Sequence, residues 1–173
     1  MVQSELWVIL QDSEEVCIWE ILDNEYRFNP SMNSNILPFQ FNVPVDSYYI
    51  GNSPIYYDNE KINEIIKNIF IECMDDDDFM YVLDWQHTSF KYNPRVKIHI
   101  DYPVFVKDER FSGGGYNVYF PEFYPNGDYY FFIAKDFRWG YFTHPWLEKV
   151  WVFGEKLMKL FNEYSSELVF TKI

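Results

Sequence analysis

One stretch constrains this chain more than any other: DNEKINEIIKNIFIECM, residues 58–74. Ile62, Ile65, Ile66, Ile69, Phe70 and Cys73 recur at the spacing that puts side chains on one face of an α-helix. Asp58 or Asn59 is available as the cap. Such a stripe draws its stability from packing on another apolar surface. The segment after the acidic run Asp75–Asp78 supplies one. FMYVLDWQ is rich in aromatic and branched residues, and both of its faces stay apolar until Asp84 and Gln86. A run of that kind reads as a central strand that is well covered.

The same two periods recur along the chain. Asp12 is placed to cap a helix with Glu15 three residues on, and Val16, Trp19, Leu22 and Tyr26 mark its apolar face. Asn29-Pro30 ends that helix, because the residue before proline is pushed out of the helical region. Residues 31–58 read as loops around the short extended pieces FQFNV and SYYIG. Further on, Val96, Ile98 and Ile100 alternate with Lys97, His99 and Asp101, the pattern of a half-exposed strand. Gly113 to Gly115 makes a turn before YNVYF, outside the strand-then-helix setting of a phosphate loop.

Asn126-Gly127 is a strong turn dipeptide that launches the strand DYYFFIA. KDFRWGYF is the next strand, stopped by Thr143-His144-Pro145. EKVWVFG is also read as a strand, since a helix there would hold Gly154 in its interior at a cost of about 1 kcal/mol. A helix then starts near Gly154 and continues through Leu157, Leu160 and Phe161. Strands gathered between helices imply the α+β class: one domain over residues 1–173, a mainly antiparallel sheet, and helices packed mostly on one face.

Composition narrows the function. With 48% hydrophobic and 22% aromatic residues the chain must fold. No run approaches the ~20 apolar residues of a membrane helix, and the N-terminus lacks the basic start of a signal peptide. A cytoplasmic protein with no membrane partner is expected. Cys17 and Cys73 are expected as buried free thiols rather than a disulfide. The net charge of −13, from 27 acidic and 14 basic residues, disfavours nucleic acid and acidic membranes and favours a basic protein partner. No oligomeric state is legible.

The blocks YVLDWQHTSFKYNP, YPNGDYYFFIAKDFRWGYFTHPW and VFGEKL, with IWEILDNEYRFNPS before them, occur in the order and approximate spacing of a bacterial family. The chain resembles the family known as domain of unknown function twenty-seven-sixteen over most of its length, with residues 111–116 as a local insertion. The resemblance implies organisation and no particular chemistry. Small acidic bacterial domains of this general kind include immunity proteins that neutralise toxins, an analogy and not a shared site.

If the strands of residues 81–87 and 128–134 are neighbours, Asp84, Gln86 and His87 could lie near Asp128 or His144. Asp84, His87, Asp128 and His144 are the catalytic candidates, since an Asp/His cluster can act as an acid–base pair or bind a divalent ion. Their spacing matches no metal signature, so neither a metal site nor a cofactor is expected, and a structural role for them ranks first. His99 falls on an exposed strand face. No nucleophile elbow or activated cysteine setting exists. Trp85, Gln86, Trp139 and Trp146 are the candidate binding residues, against the simpler reading that large rings build the core. Asp75 to Asp78 lacks the spacing of a calcium loop and reads as a solvated turn. The leading expectation is therefore a non-enzymatic binding module, an acidic immunity-type protein facing a basic partner. The alternative is a metal-assisted hydrolase, or another enzyme, built on the Asp/His cluster.

Overall fold

A computed structural model of the chain describes residues 5–31, 33, 36–57, 59–76, 78–111 and 113–173. Helix α2, Glu60–Cys73, is the stripe seen in the sequence, and it buries Ile62, Ile66, Ile69, Phe70 and Cys73. Asn59 is its N-cap and accepts a hydrogen bond from the Ile62 N–H at 3.3 Å; Asp58 lies outside the described residues. The other end of α2 has no basic residue in its last turn, yet its carbonyls are met by cations from elsewhere. Arg95 donates to Ile71 O and Met74 O, Arg138 and the Trp139 indole donate to Cys73 O, and Lys156 donates to Glu72 O. Those donors satisfy orphan carbonyls and put positive charge at the negative pole of the helix.

α2 lies on an eight-stranded sheet of order β1-β4-β3-β7-β8-β9-β2-β10. Its strands are β1 (Trp7–Ile9), β2 (Val45–Tyr49), β3 (Met80–Asp84), β4 (Phe90–Tyr92), β7 (Tyr130–Ala134), β8 (Gly140–His144), β9 (Lys149–Phe153) and β10 (Thr171–Lys172). Every neighbouring pair is antiparallel. A separate antiparallel hairpin joins β5 (Phe105–Asp108) to β6 (Tyr116–Tyr119).

Alternation along each strand divides the core in two. Met80, Val82, Phe132, Tyr141, Val150 and Val152 face α2 and α3 (Glu155–Leu168), where Ile66, Phe70, Leu157 and Phe161 meet them. Leu83, Phe131, Ile133, Phe142, Trp151 and Phe153 face the other way, onto Ile18, Leu22 and Tyr26 of α1 (Asp12–Tyr26) and onto Phe39. The α+β class and the antiparallel sheet follow the sequence reading. Two of the three helices share a face, and α1 covers the opposite one.

Four expectations need correction. α1 buries Ile18, Leu22 and Tyr26, while Val16 is 55% exposed; its cap position is Gln11, not Asp12. Cys17 is exposed, and only Cys73 is a buried thiol. Residues 96–100 form no strand and pair with no strand among the described residues, and Ile98 and Ile100 are exposed. The acidic run is less free than a solvated turn: Asp75 pairs with Arg138 at 3.2 Å and Asp78 with Lys135 at 2.8 Å. Asp77 lies outside the described residues. Between β9 and α3, Gly154 takes φ 95°, and a Cβ there would collide with Trp139 and the Arg138 carbonyl.

Candidate functional site

The antiparallel pairing of β3 with β7 sets Asp84 opposite Tyr130, so the C-terminal end of one strand meets the N-terminal end of the other. Asp84 closes β3, and the turn that follows returns to β4 carrying His87. Gly127, at φ 85°, turns the chain so that Asp128 enters just before β7. His87 Nδ1 lies 3.0 Å from Asp84 Oδ1 and 3.4 Å from Asp128 Oδ2. Both carboxylates are buried, at 7% and 8% side-chain exposure, whereas the His87 side chain is 40% exposed.

Backbone groups fix the two acids. Gln86 N–H donates to Asp84 Oδ1 at 3.3 Å, and Tyr129 N–H donates to Asp128 Oδ1 at 2.8 Å. That leaves Asp128 Oδ2 directed at His87. The His87 ring stacks on Tyr116 of β6, with centroids 6.4 Å apart and planes 10° from parallel. Burial raises the Asp84 carboxyl to about 7; His87 opposes that rise and the Asp128 carboxyl adds to it.

Asp108 shows how much the neighbours matter. It is equally buried, but Arg110 donates to both of its oxygens at 2.7–3.1 Å and Thr88 donates at 2.5 Å. The guanidinium and the hydroxyl hold this carboxyl down at about 2 despite its burial. Arg110 also reaches Asp12, Glu15 and the Leu10 carbonyl, tying the β5–β6 hairpin to the start of α1.

His144 does not join the cluster. By the alternation of β8 it shares a face with Phe142, on the α1 side, whereas Asp84 shares a face with Met80 and Val82, on the α2 side. The sheet separates them. Leu147 N–H donates to His144 Nδ1 at 3.3 Å, so Nε2 carries the proton toward the Tyr129 oxygen at 3.2 Å. The same oxygen accepts from Ser31 N–H and donates to Ser31 O. Burial first, and then Lys149, lowers the His144 imidazole to about 4.

The four candidate binding residues divide as well. Trp139 is buried at 3% exposure and stacks on Phe70, so it is core. Trp85 and the 43%-exposed Trp146 pack edge-on against Tyr129, at 5.8 and 5.5 Å, and Gln86 is exposed beside Trp85. His99 lies on no strand.

The sequence reading missed the Thr88–Asp108–Arg110 network, which left only the Asp-x-Arg spacing as a signal. The acidic character of the first helix, with Glu14, Glu15 and Glu20, was legible in the sequence, and α1 carries six carboxylates and no Lys or Arg. Glu14 pairs with Lys91, and Asp12 and Glu15 with Arg110. Among the described residues Glu20, Asp23 and Glu25 have no ion pair. A shallow, open surface patch on the helix brings together Val16 and Trp19 with the carboxylates of Asp12, Glu15, Glu20 and Asp23.

These features define an antiparallel α+β fold with two buried aspartates meeting an exposed histidine at its strand ends and an acidic outer helix. The chain belongs to the family described as protein of unknown function (DUF2716), whose family model matches residues 9–158. It is similar to the uncharacterized protein YxiI of Bacillus subtilis (strain 168), 26% identical over 164 residues, covering 88% of this chain and 90% of that protein. No solved structure matches the chain. No helix among the described residues is long and apolar enough to cross a membrane.

Proposed function

We propose that this protein is an interaction module that binds a basic protein partner through α1. The observation that carries this reading is the outer face of that helix. Val16 and the half-buried Trp19 form an apolar patch, and Glu20 and Asp23 flank it with no ion pair among the described residues. Unpaired carboxylates around an apolar contact offer steering and an anchor together. Neutralisation of a cationic toxin by an acidic immunity-type protein is one instance of that chemistry.

The test uses a partner captured from the native cell extract, followed by surface plasmon resonance. The on-rate should fall as salt shortens the screening length from about 10 Å at ~0.1 M to about 3 Å at ~1 M. Glu20→Gln/Asp23→Asn/Glu25→Gln should lower it similarly while leaving the melting temperature in place. An on-rate indifferent to both salt and the triple variant removes α1 as the docking surface.

Convergence of Asp84, His87 and Asp128 favours a second reading, a metal-assisted hydrolase, although the fourth candidate, His144, stands apart. Failure of added metal to stimulate turnover of generic ester and phosphodiester probes would sink that reading.

A further inference from the structure

We propose that His87 Nδ1, Asp84 Oδ1 and Asp128 Oδ2 form a binding site for one first-row divalent transition ion such as zinc or manganese. The three ligand atoms lie within 4.8 Å of one another. The edges that meet at His87 measure 3.0 and 3.4 Å. An ion about 2.1 Å from each ligand sets ligand–ligand edges of about 3.0 Å in an octahedron and about 3.4 Å in a tetrahedron. The two edges at His87 therefore already have the length of coordination-shell edges. One imidazole and two carboxylates suit borderline ions better than calcium, which takes six to eight oxygen ligands.

Charge is the second, independent observation. Two carboxylates are more than nine-tenths buried, and no Lys or Arg pairs with either among the described residues. The charged groups acting on Tyr130, the cross-strand partner of Asp84, are Asp84, Asp128 and Glu122, all acidic. Elsewhere in the molecule a buried aspartate has its cation built in, as Asp108 has Arg110. His87 is the basic group beside them, and with its imidazole neutral as a ligand a divalent ion would balance both carboxylates at once.

The backbone positions both acids, holding Asp84 Oδ1 through the Gln86 N–H and Asp128 through its other oxygen. The Tyr129 N–H occupies Asp128 Oδ1 and leaves Oδ2 for the ion, and Tyr116 fixes the plane of the His87 ring. Exposure of His87 gives a route of entry from solvent.

Isothermal titration with zinc and with manganese at neutral pH tests the proposal. Magnesium and calcium serve as controls, and thermal melts are run alongside. One equivalent of zinc or manganese per chain should bind, with a melting temperature that rises with metal concentration as mass action requires. His87→Gln, on an exposed turn that should tolerate it, and the near-isosteric Asp128→Asn should each weaken binding at least about tenfold. Cobalt substitution provides a readout independent of stability, since its visible spectrum should change in both variants. No stoichiometric binding of zinc or manganese would overturn the proposal. So would binding that survives both substitutions, or binding of calcium as strong as that of zinc.

Discussion

With the Leu147 N–H directed at Nδ1, an added proton on His144 would set two N–H groups against each other. The folded-state value of about 4 lies below the ordinary 6.5. Between those two values the unfolded chain takes up a proton that the folded one does not. Stability should be level above about 6.5 and fall as pH drops toward 4. Nitrogen-15 NMR of the imidazole at about pH 6 should show the neutral Nε2–H form; a midpoint near 6.5 would refute the assignment. Asp108 makes the complementary case. Arg110→Ala leaves a buried charged acceptor with only the Thr88 hydroxyl and the backbone N–H of residue 110 as donors, and should cost on the order of 1–3 kcal/mol in urea denaturation. Asp84 and His87 were readable as a pair from their i,i+3 spacing. The sequence places Asp128 or His144 near them if the two strands pair; that Asp128 arrives and His144 does not was illegible, because strand register and the parity of β8 decide it, and neither is a local property.

At the scale of elements, legibility depended on whether a segment's apolar residues allow one packing face or several. α2 allows one, and its stripe was visible without the sheet it lies on. Ile66, fully buried between that helix and the sheet, should cost about 2–5 kcal/mol when cut to alanine. α1 allows more than one, since Val16, Cys17, Ile18, Trp19, Ile21 and Leu22 surround the helix with apolar side chains. The sheet selected Ile18, Leu22 and Tyr26 and left Val16 outside. Val16→Ser should therefore change stability by no more than about 0.5 kcal/mol, and a loss comparable to that of Ile66→Ala would mean that α1 is docked on its other side. Residues 96–100 have the alternation of a strand and pair with no strand among the described residues. A period of two is necessary for a strand and does not supply its partner.

Across the whole molecule, the sheet covered on both faces explains why the segment of β3 reads as apolar on both sides. The same sheet has an order that the chain does not visit in sequence. β2 lies between β9 and β10, and its partners in β9 are about a hundred residues away along the chain. Closing so long a loop must be completed before any of those contacts can form, so refolding should take milliseconds to seconds rather than microseconds. Stopped-flow fluorescence of the buried tryptophans would measure it, and microsecond refolding would contradict the strand order. Until β2 arrives, β9 is an unguarded edge with Val150 and Val152 on one side and Trp151 and Phe153 on the other. The time window in which this chain is prone to aggregate is thus set by when β2 docks on that edge.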